Sequence, residues 1–304
     1  HGPGTGRVMV TVTRRTFLAS TGAVMAAATL GGAGPQIPGR IRKAVKFGMI
    51  DVDLSVEGKF RLLQELGFDG VEMPSPADLD IDEVRAAAAL TGITVHGVVD
   101  AEHWRSPLSD PDPVVRARGR HALEGALRDC RRYGGDTVLL VPAVVNRRVS
   151  YADAWTRSQQ EIRVVLSLAK QLGVRIAIEN VWNNFLLSPL EAARYIDSFE
   201  SPWIGWYFDV GNVVRYGWPD QWIRTLGKRV LKLDIKAYSR TKRDNEGLWK
   251  GFNVEIGDGD CDWPAVMVAL RAIEYRGWAT AEVAGGDADR LRDIAGRMDS
   301  VLAS

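Results

Sequence analysis

Short runs of strand-forming residues alternate with amphipathic helical stretches along most of this chain. Eight such runs follow residue 40, at residues 44–50, 70–73, 94–100, 136–142, 175–180, 204–210, 230–236 and 278–283. Several of the stretches between them end in Gly, which is a common signal for the C-terminus of a helix. Strands that alternate with helices form βαβ units around a parallel sheet.

Eight βαβ units in roughly 260 residues fit one (β/α)8 barrel, the TIM-barrel architecture. The sequence therefore predicts an α/β protein with a single TIM-barrel domain at residues 41–304. A doubly wound open sheet is the alternative. It would usually place a glycine-rich turn after the first strand if it bound a dinucleotide, and the segment MIDVDLS at residues 49–55 contains no glycine.

The first 40 residues have the character of an export signal. Arg14 and Arg15 stand directly before an apolar run that is rich in Ala and Gly and has no acidic residue. The arginine pair followed by Phe17 and Leu18 resembles a twin-arginine (Tat) signal. We therefore expect residues 1–40 to be a Tat-type signal peptide and linker, and the protein to be periplasmic or extracellular. A membrane anchor and a short buried helix are the alternatives, and no later run is long and apolar enough to span a bilayer.

Composition narrows the classes of partner. The chain is 46% hydrophobic and 25% charged, and its formal net charge is +1, which favours neither nucleic acid nor a membrane surface as a partner after signal removal. Cys130 and Cys261 are the two cysteines, and neither has the spacing of a metal site. They form either one disulfide or two unrelated buried thiols. The oligomeric state stays open, with a homo-oligomer as one outcome.

Four of the strand-like runs carry an acid near the C-terminal end. If the aliphatic residues of these runs face the helices, the acids share the parity that faces the barrel interior. The C-terminal end of the strands is the catalytic face of a TIM barrel. Carboxylates that converge there would repel one another without a cation, so we expect one divalent metal ion. Oxygen ligands favour Mn²⁺ or Mg²⁺ over Zn²⁺. The predicted ligands are Glu179, Asp209, Asp234 and Glu282.

The run VLKLDIK at residues 230–236 adds two lysines to this set. Lys232 and Lys236 share the parity of Asp234, while the aliphatic residues of the run should face outward. Two interpretations follow. The lysines either offset the excess of about two negative charges that four carboxylates leave around a divalent ion, or they pair with the acids in place of a metal.

Several segments resemble the sugar phosphate isomerase/epimerase family, the xylose isomerase-like TIM barrels, over residues 44–300. They are IAIENVWNNF, YFDVGN, IGDGDCDW and YRGWATAEV, together with Lys232-x-Asp234. The resemblance implies that the four acids named above hold one metal ion. The family's usual His-x-His on the seventh strand is Lys232-x-Asp234 here, so a carboxylate replaces the imidazole ligand. The substrate-binding His of the epimerases, three residues after the sixth-strand Asp, is Asn212 here.

The resemblance also implies a function. Glu179 and Glu282 would act as acid and base in a sugar isomerase or epimerase that passes through a metal-stabilised enediolate. A lyase or hydratase acting on 3-keto-glycosides with the same site is one alternative, and a non-catalytic sugar-binding protein with a decayed metal site is another. An endonuclease-like member of this barrel class is disfavoured, because the chain has four histidines and no basic stripe for DNA.

Further residues are candidates for contact with a small carbohydrate substrate. A His–Trp pair follows the third run and could hold a sugar by hydrogen bonding and stacking, although a Trp that only anchors the loop is equally consistent. The acid at the end of the second run binds a substrate hydroxyl or forms an ion pair or cap. The predicted substrate-binding residues are Glu72, His103, Trp104, Trp182, Asn212 and Lys236.

Overall fold

The computed structural model describes residues 40–304. Within these residues eight parallel strands pair in sequence order and close on themselves, so the prediction of a (β/α)8 barrel is confirmed. The predicted Tat-type signal lies outside the described residues, apart from Arg40. The strands are β1 (Arg42–Lys46), β2 (Gly70–Ser75), β3 (Thr94–Asp100), β4 (Thr137–Leu140), β5 (Arg175–Glu179), β6 (Ile204–Asp209), β7 (Val230–Ile235) and β8 (Trp278–Ala281).

The helices surround this barrel and begin and end at residues suited to those positions. Side chains of Ser55, Asp112 and Ser150 accept a hydrogen bond from a backbone N–H of the first turn of their helices, and Gly134 and Gly173 take the left-handed conformation at C-termini. The helices are α1 (Val56–Glu65), α2 (Ile81–Thr91), α3 (Pro113–Tyr133), α4 (Tyr151–Leu172), α5 (Pro189–Asp197), α6 (Val210–Val213), α7 (Pro219–Leu226), α8 (Arg240–Glu246), α9 (Trp263–Ala272) and α10 (Ala288–Leu302).

The core has two parts, as strand parity requires. The larger part fills the layer between strands and helices and includes Ile176, Ile178 and Phe208. The smaller part lies inside the barrel and consists of Leu139, Ala177 and Tyr207, with Val99 and Leu231 packed against it. The barrel is therefore filled with side chains below its carboxyl end, and a ligand can enter only from a mouth.

Leu231 corrects one prediction. The parity of VLKLDIK places it outward, yet it packs against the interior cluster. Trp206 pairs with Val230 and Tyr207 pairs with Lys232, so Leu231 is an extra residue at a shift in the β6–β7 register. Such a bulge breaks strict alternation and turns the side chain.

Three strands end two or more residues earlier than their sequence patterns suggest. β1 ends at Lys46 and a 3₁₀ turn follows at Phe47–Met49, whereas the pattern continued to residue 50. β4 ends at Leu140, and β8 ends at Ala281, so that Glu282 is the first residue beyond its strand.

Cys130 and Cys261 are separate buried free thiols, which matches the second of the two cysteine alternatives. Between Arg40 and Ser304, no helix combines the length and apolar character needed to cross a bilayer.

Candidate active site

The four predicted acids meet at the carboxyl end of the barrel. Glu179 and Asp209 are the last residues of β5 and β6, Asp234 is the penultimate residue of β7, and Glu282 follows β8. One oxygen from each carboxylate lies within 4.8 Å of the oxygens from the other three. Asp209 and Asp234 are fully buried and pair directly across the β6–β7 ladder. The structure therefore brings together all four side chains that parity selected.

Two lysines lie among these acids. Lys46, the last residue of β1, places its Nζ 3.0 Å from Glu72 Oε2, 3.0 Å from Asp234 Oδ2 and 3.4 Å from Glu282 Oε1.

Lys236, just after β7, places its Nζ 2.9 Å from Asp209 Oδ2 and 2.6 Å from Glu282 Oε2. Lys236 was predicted, but Lys46 was missed. The predicted first strand ran on to residue 50, so Lys46 did not stand out as a residue at a strand end.

Lys232 does not belong to this group, which corrects the expectation that it offsets the charge of the acids. Its Nζ lies 2.8 Å from Asp136 Oδ1 and 2.9 Å from His96 Nδ1, and it also donates to the His96 carbonyl. Lys232 does face the interior, but two residues of strand place it about 6.6 Å below Asp234. It takes part in a lower network, in which His96 Nε2 lies 3.1 Å from Thr280 Oγ1.

The acids suit a divalent cation. Two oxygen ligands on opposite sides of a hard cation lie about 4–5 Å apart, which matches the spacing of the cluster. Asp234 Oδ1 and Glu72 Oε1 are buried without a hydrogen-bond partner among the described residues. When all groups are charged, the four acids and Glu72 outnumber the two lysines, and the resulting negative excess in a buried site favours binding of a cation. The two lysines and a metal ion therefore need not exclude each other.

The two glutamates differ in proton affinity. Burial raises the pKa of Glu179 well above its usual value, and the carboxylates of Glu282 and Asp234 raise it further. Burial also acts to raise the pKa of Glu282, but Lys46 and Lys236 outweigh that effect and lower it to about 2. Neighbouring carboxyl groups whose pKa values are driven apart are suited to act as an acid and a base.

Two asparagines fix the geometry of the β5 and β6 ends. Asn180 Oδ1 accepts hydrogen bonds from Trp206 Nε1 and the Asp209 backbone N–H, each at 3.0 Å, and Asn180 Nδ2 donates to the Asp209 carbonyl at 2.8 Å. Asn212 Nδ2 donates to the Asn180 carbonyl at 3.0 Å, and the Asn212 backbone N–H donates to Asp209 Oδ1 at 2.7 Å. Sequence reasoning missed Asn180, because its partners depend on how the two strand ends adjoin.

A pocket of about 960 Å³ opens above the acids. Five of the six predicted substrate-binding residues line it, together with Lys46, Glu179 and Glu282: they are His103, Trp104, Trp182, Asn212 and Lys236. The sixth, Glu72, is a correction. Its side chain is fully buried and pairs with Lys46, so it cannot reach a substrate hydroxyl and instead takes the ion-pair role.

His103 presents a donor to this pocket. Its Nδ1 accepts a hydrogen bond from the Val141 backbone N–H at 3.3 Å, which leaves the ring proton on Nε2. Burial, together with the charge of Lys46, lowers the pKa of His103 to about 3, so the ring is neutral at pH 7. Trp182 is fixed by a hydrogen bond from its Nε1 to the Asn212 carbonyl at 2.9 Å.

A closed parallel barrel with converging acids at the carboxyl ends of its strands defines a TIM-barrel protein with a candidate metal centre. The sequence profile of the xylose isomerase-like TIM barrel family matches residues 60–300. The chain belongs to this family.

Known relatives and solved structures agree with this assignment. The L-ribulose-5-phosphate 3-epimerase UlaE of Escherichia coli O1:K1 / APEC is 25% identical over 253 residues, which cover 77% of this chain and 87% of UlaE. The crystal structure of the 3-keto-D-glucoside 4-epimerase YcjR of E. coli has a TM-score of 0.71 at 18% identity and covers 87% of this chain and 100% of YcjR. A crystal structure of D-psicose 3-epimerase gives 0.70 at 18% identity, with coverage of 87% and 100%. At these identities the solved structures support the fold.

Proposed function

We propose that this protein is a metal-dependent sugar isomerase or epimerase that transfers a proton at a carbon beside a carbonyl group. The observation that carries this proposal is the meeting of four carboxylates at the catalytic face of the barrel, where Glu179 and Glu282 line a pocket. Relatives in the same family include proteins named as sugar epimerases, which supports the same class of reaction.

Each acid has a part in this proposal. Glu179, Asp209, Asp234 and Glu282 would hold one divalent ion, with Mn²⁺ or Mg²⁺ expected for oxygen ligands. When bound, such an ion polarises the carbonyl and hydroxyl oxygens of a sugar.

The two glutamates would carry the proton transfer. Glu282, which Lys46 and Lys236 contact, would remove the proton from the sugar carbon, and Glu179 would return a proton. The Nε2–H of His103 would hold a sugar oxygen at the pocket wall.

Exchange of the sugar C–H with solvent tests the proposal. Purified protein with Mn²⁺ is incubated in D₂O with D-fructose, L-ribulose or a 3-keto-D-glucoside, and ¹H NMR follows deuterium entry beside the carbonyl. We expect exchange with at least one of these sugars, a loss of about 100-fold or more in Glu282→Gln, and no change in Glu274→Gln, which alters an exposed glutamate. Elemental analysis should find about one divalent ion per chain, and less in Asp234→Asn.

The alternatives give different results. Loss of the substituent from a 3-keto-glycoside without epimerisation would identify a lyase. Sugar binding with no exchange under any metal would identify a non-catalytic binding protein. Protein that contains no stoichiometric metal, and whose exchange is unaffected by a chelator, would show that Lys46 and Lys236 replace the ion. Each of these results contradicts the proposal.

A further inference from the structure

The pocket is larger than one sugar ring requires. Its volume of about 960 Å³ lies near the upper end of the range of roughly 300–1,000 Å³ that accommodates drug-sized ligands. Of the four acids, Glu179 and Glu282 line it. The upper part is lined by aromatic side chains from loops, and its chemistry bears on which sugar can bind.

One side of the pocket mouth is an aromatic wall. Trp249 and Phe252 come from the connection after β7, and Trp182 comes from the loop after β5. The Trp182 ring centroid lies 4.7 Å from that of Trp249 and 4.8 Å from that of Phe252. Trp249 is nevertheless 67% exposed, so much of its indole surface is open to a ligand. A large exposed ring that lines a cavity is a typical ligand contact.

The opposite side carries a second exposed indole. Trp104 lies in the loop after β3 and is 52% exposed. Its ring makes an edge contact with the ring of His103, with the centroids 5.6 Å apart. In a closed barrel of eight strands, β3 and β7 are four positions apart and therefore face each other across the mouth. Trp104 and Trp249 both line the same pocket, one from each side.

The charges of the pocket disfavour a phosphate. Among the described residues, each cation that lines the pocket is already paired with carboxylates. Lys46 and Lys236 are held by the acids, and Arg290 Nη1 lies 2.8 Å from Glu255 Oε2 and 3.1 Å from Asp293 Oδ2. A phosphorylated sugar would bring two negative charges close to acids and neutral rings, and none of the lysines and arginines that line the pocket is free to receive them.

We propose that Trp104 and Trp249 form a subsite for a second ring, so that the substrate is an uncharged keto sugar joined to another sugar or to an aromatic group. This inference rests on the proposed function, because it places the reacting ring over the acids and the second ring at the mouth. Stacking on an indole face accepts either kind of ring, since both present an apolar face.

Binding of simple probes tests the subsite without any turnover. Isothermal titration calorimetry compares phenyl β-D-glucopyranoside and cellobiose, which have two rings, with D-glucose and D-glucose 6-phosphate. We expect the two-ring probes to bind about 10-fold more tightly than D-glucose, and D-glucose 6-phosphate to bind less tightly than D-glucose. The tighter of the two-ring probes identifies the preferred second ring.

Variants of the tryptophans at the pocket mouth test the ring subsite independently of the acids. Trp249→Ala should weaken both two-ring probes by about 10-fold and leave D-glucose unchanged, whereas Trp249→Phe should retain part of the affinity. Trp218→Ala is the matched control, since Trp218 is 55% exposed and lies beside Arg240 outside the pocket lining. Because Trp249 is exposed, its replacement should not affect folding, which a thermal melt verifies.

Three results would overturn the subsite: equal affinity for one-ring and two-ring probes, tightest binding of D-glucose 6-phosphate, or an equal loss for D-glucose and phenyl glucoside in Trp249→Ala. A failure of the proposed function would be a separate result, because deuterium exchange tests the reaction at the acids, whereas calorimetry tests binding at Trp104 and Trp249.

Discussion

Replacing Lys46 by Met tests whether this lysine is the main counter-charge of the buried acids. Lys46 is 15% exposed at its side chain, while the side chains of its partners Glu72 and Asp234 are fully buried. Burial acts to lower the pKa of Lys46, but Asp234, Glu282 and Glu72 outweigh it and raise the pKa well above its usual value. The ammonium group therefore stays charged at pH 7, and Met keeps most of its volume without the charge.

The contacts of Lys46 allow the effect to be estimated. Removing one partner of a buried ion pair typically costs about 3–5 kcal/mol, because the remaining charge stays in a poorly solvated place. We expect a loss of this size in the free energy of unfolding of the metal-free protein at pH 7. For a domain of this length it corresponds to a fall of about 6–20 °C in Tm.

Urea unfolding in a chelator measures this loss, and Lys228→Met is the matched control. Lys228 is 86% exposed at its side chain, so its replacement should change stability by less than about 0.5 kcal/mol. Repeating the measurement with Mn²⁺ adds a second readout. Since a divalent ion supplies positive charge to the same acids, Mn²⁺ should stabilise Lys46→Met more than the unsubstituted protein.

The double variant Lys46→Met/Glu72→Gln should recover part of the loss, because it also removes one of the stranded carboxylates. If Lys46→Met lost no more stability than Lys228→Met, the acids would be taking up protons instead of depending on the lysine. If Mn²⁺ stabilised both proteins equally, Lys46 and the ion would not share the same acids. Either result would refute the reasoning.

Two further predictions concern groups away from the acids. Lys232→Met should lower the free energy of unfolding by about 1–3 kcal/mol, which is less than for Lys46→Met because its partner Asp136 can reach water. It should leave the metal content unchanged. Urea unfolding and elemental analysis measure these two effects, and a loss of metal would contradict the prediction. Burial raises the pKa of Asp100 to about 7, against about 3.9 in an unfolded chain, so its folded form binds the proton more tightly and stability falls as pH rises from 4 to 7. In this window the free energy of unfolding should fall by about 1.4 kcal/mol per pH unit because of Asp100, and Asp100→Asn should remove this fall. Urea unfolding at pH 5 and at pH 7 measures it. An equal change in the free energy of unfolding between the two pH values in both proteins would count against the prediction.

Strand parity explains why so much of the site was predictable. Side chains alternate along a strand with a period of two, so an acid that breaks an aliphatic run must face the interior. Glu179, Asp209 and Asp234 end or nearly end their strands, which also fixes their level. The fold followed from the same alternation, repeated eight times.

Parity gives the direction of a side chain but not its height in the barrel. Lys232 and Lys236 have the same direction, yet one bonds to Asp136 below and the other to Asp209 above. Identifying Lys46 as a site residue would have required the true end of β1, because a 3₁₀ turn replaces the last part of the predicted strand.

Two other features lie beyond sequence periodicity. The pairing of Lys46 with Glu72 follows from the β1–β2 register, which no single strand contains. Trp249 lies in a long connection without periodicity, where only the assembled barrel shows which loops are neighbours.

The placement of the two indoles on opposite loops has a consequence for how such a protein can diverge. The acids are fixed by strands β5 to β8, whereas Trp104 and Trp249 belong to connections that can change length and composition without moving those strands. A barrel of this kind can therefore keep the same cluster of acids while a single loop, and with it the lining of the pocket mouth, is replaced. Grafting residues 240–262 onto a relative is the corresponding engineering step, since this segment carries Trp249 and leaves the acids and Lys236 unchanged.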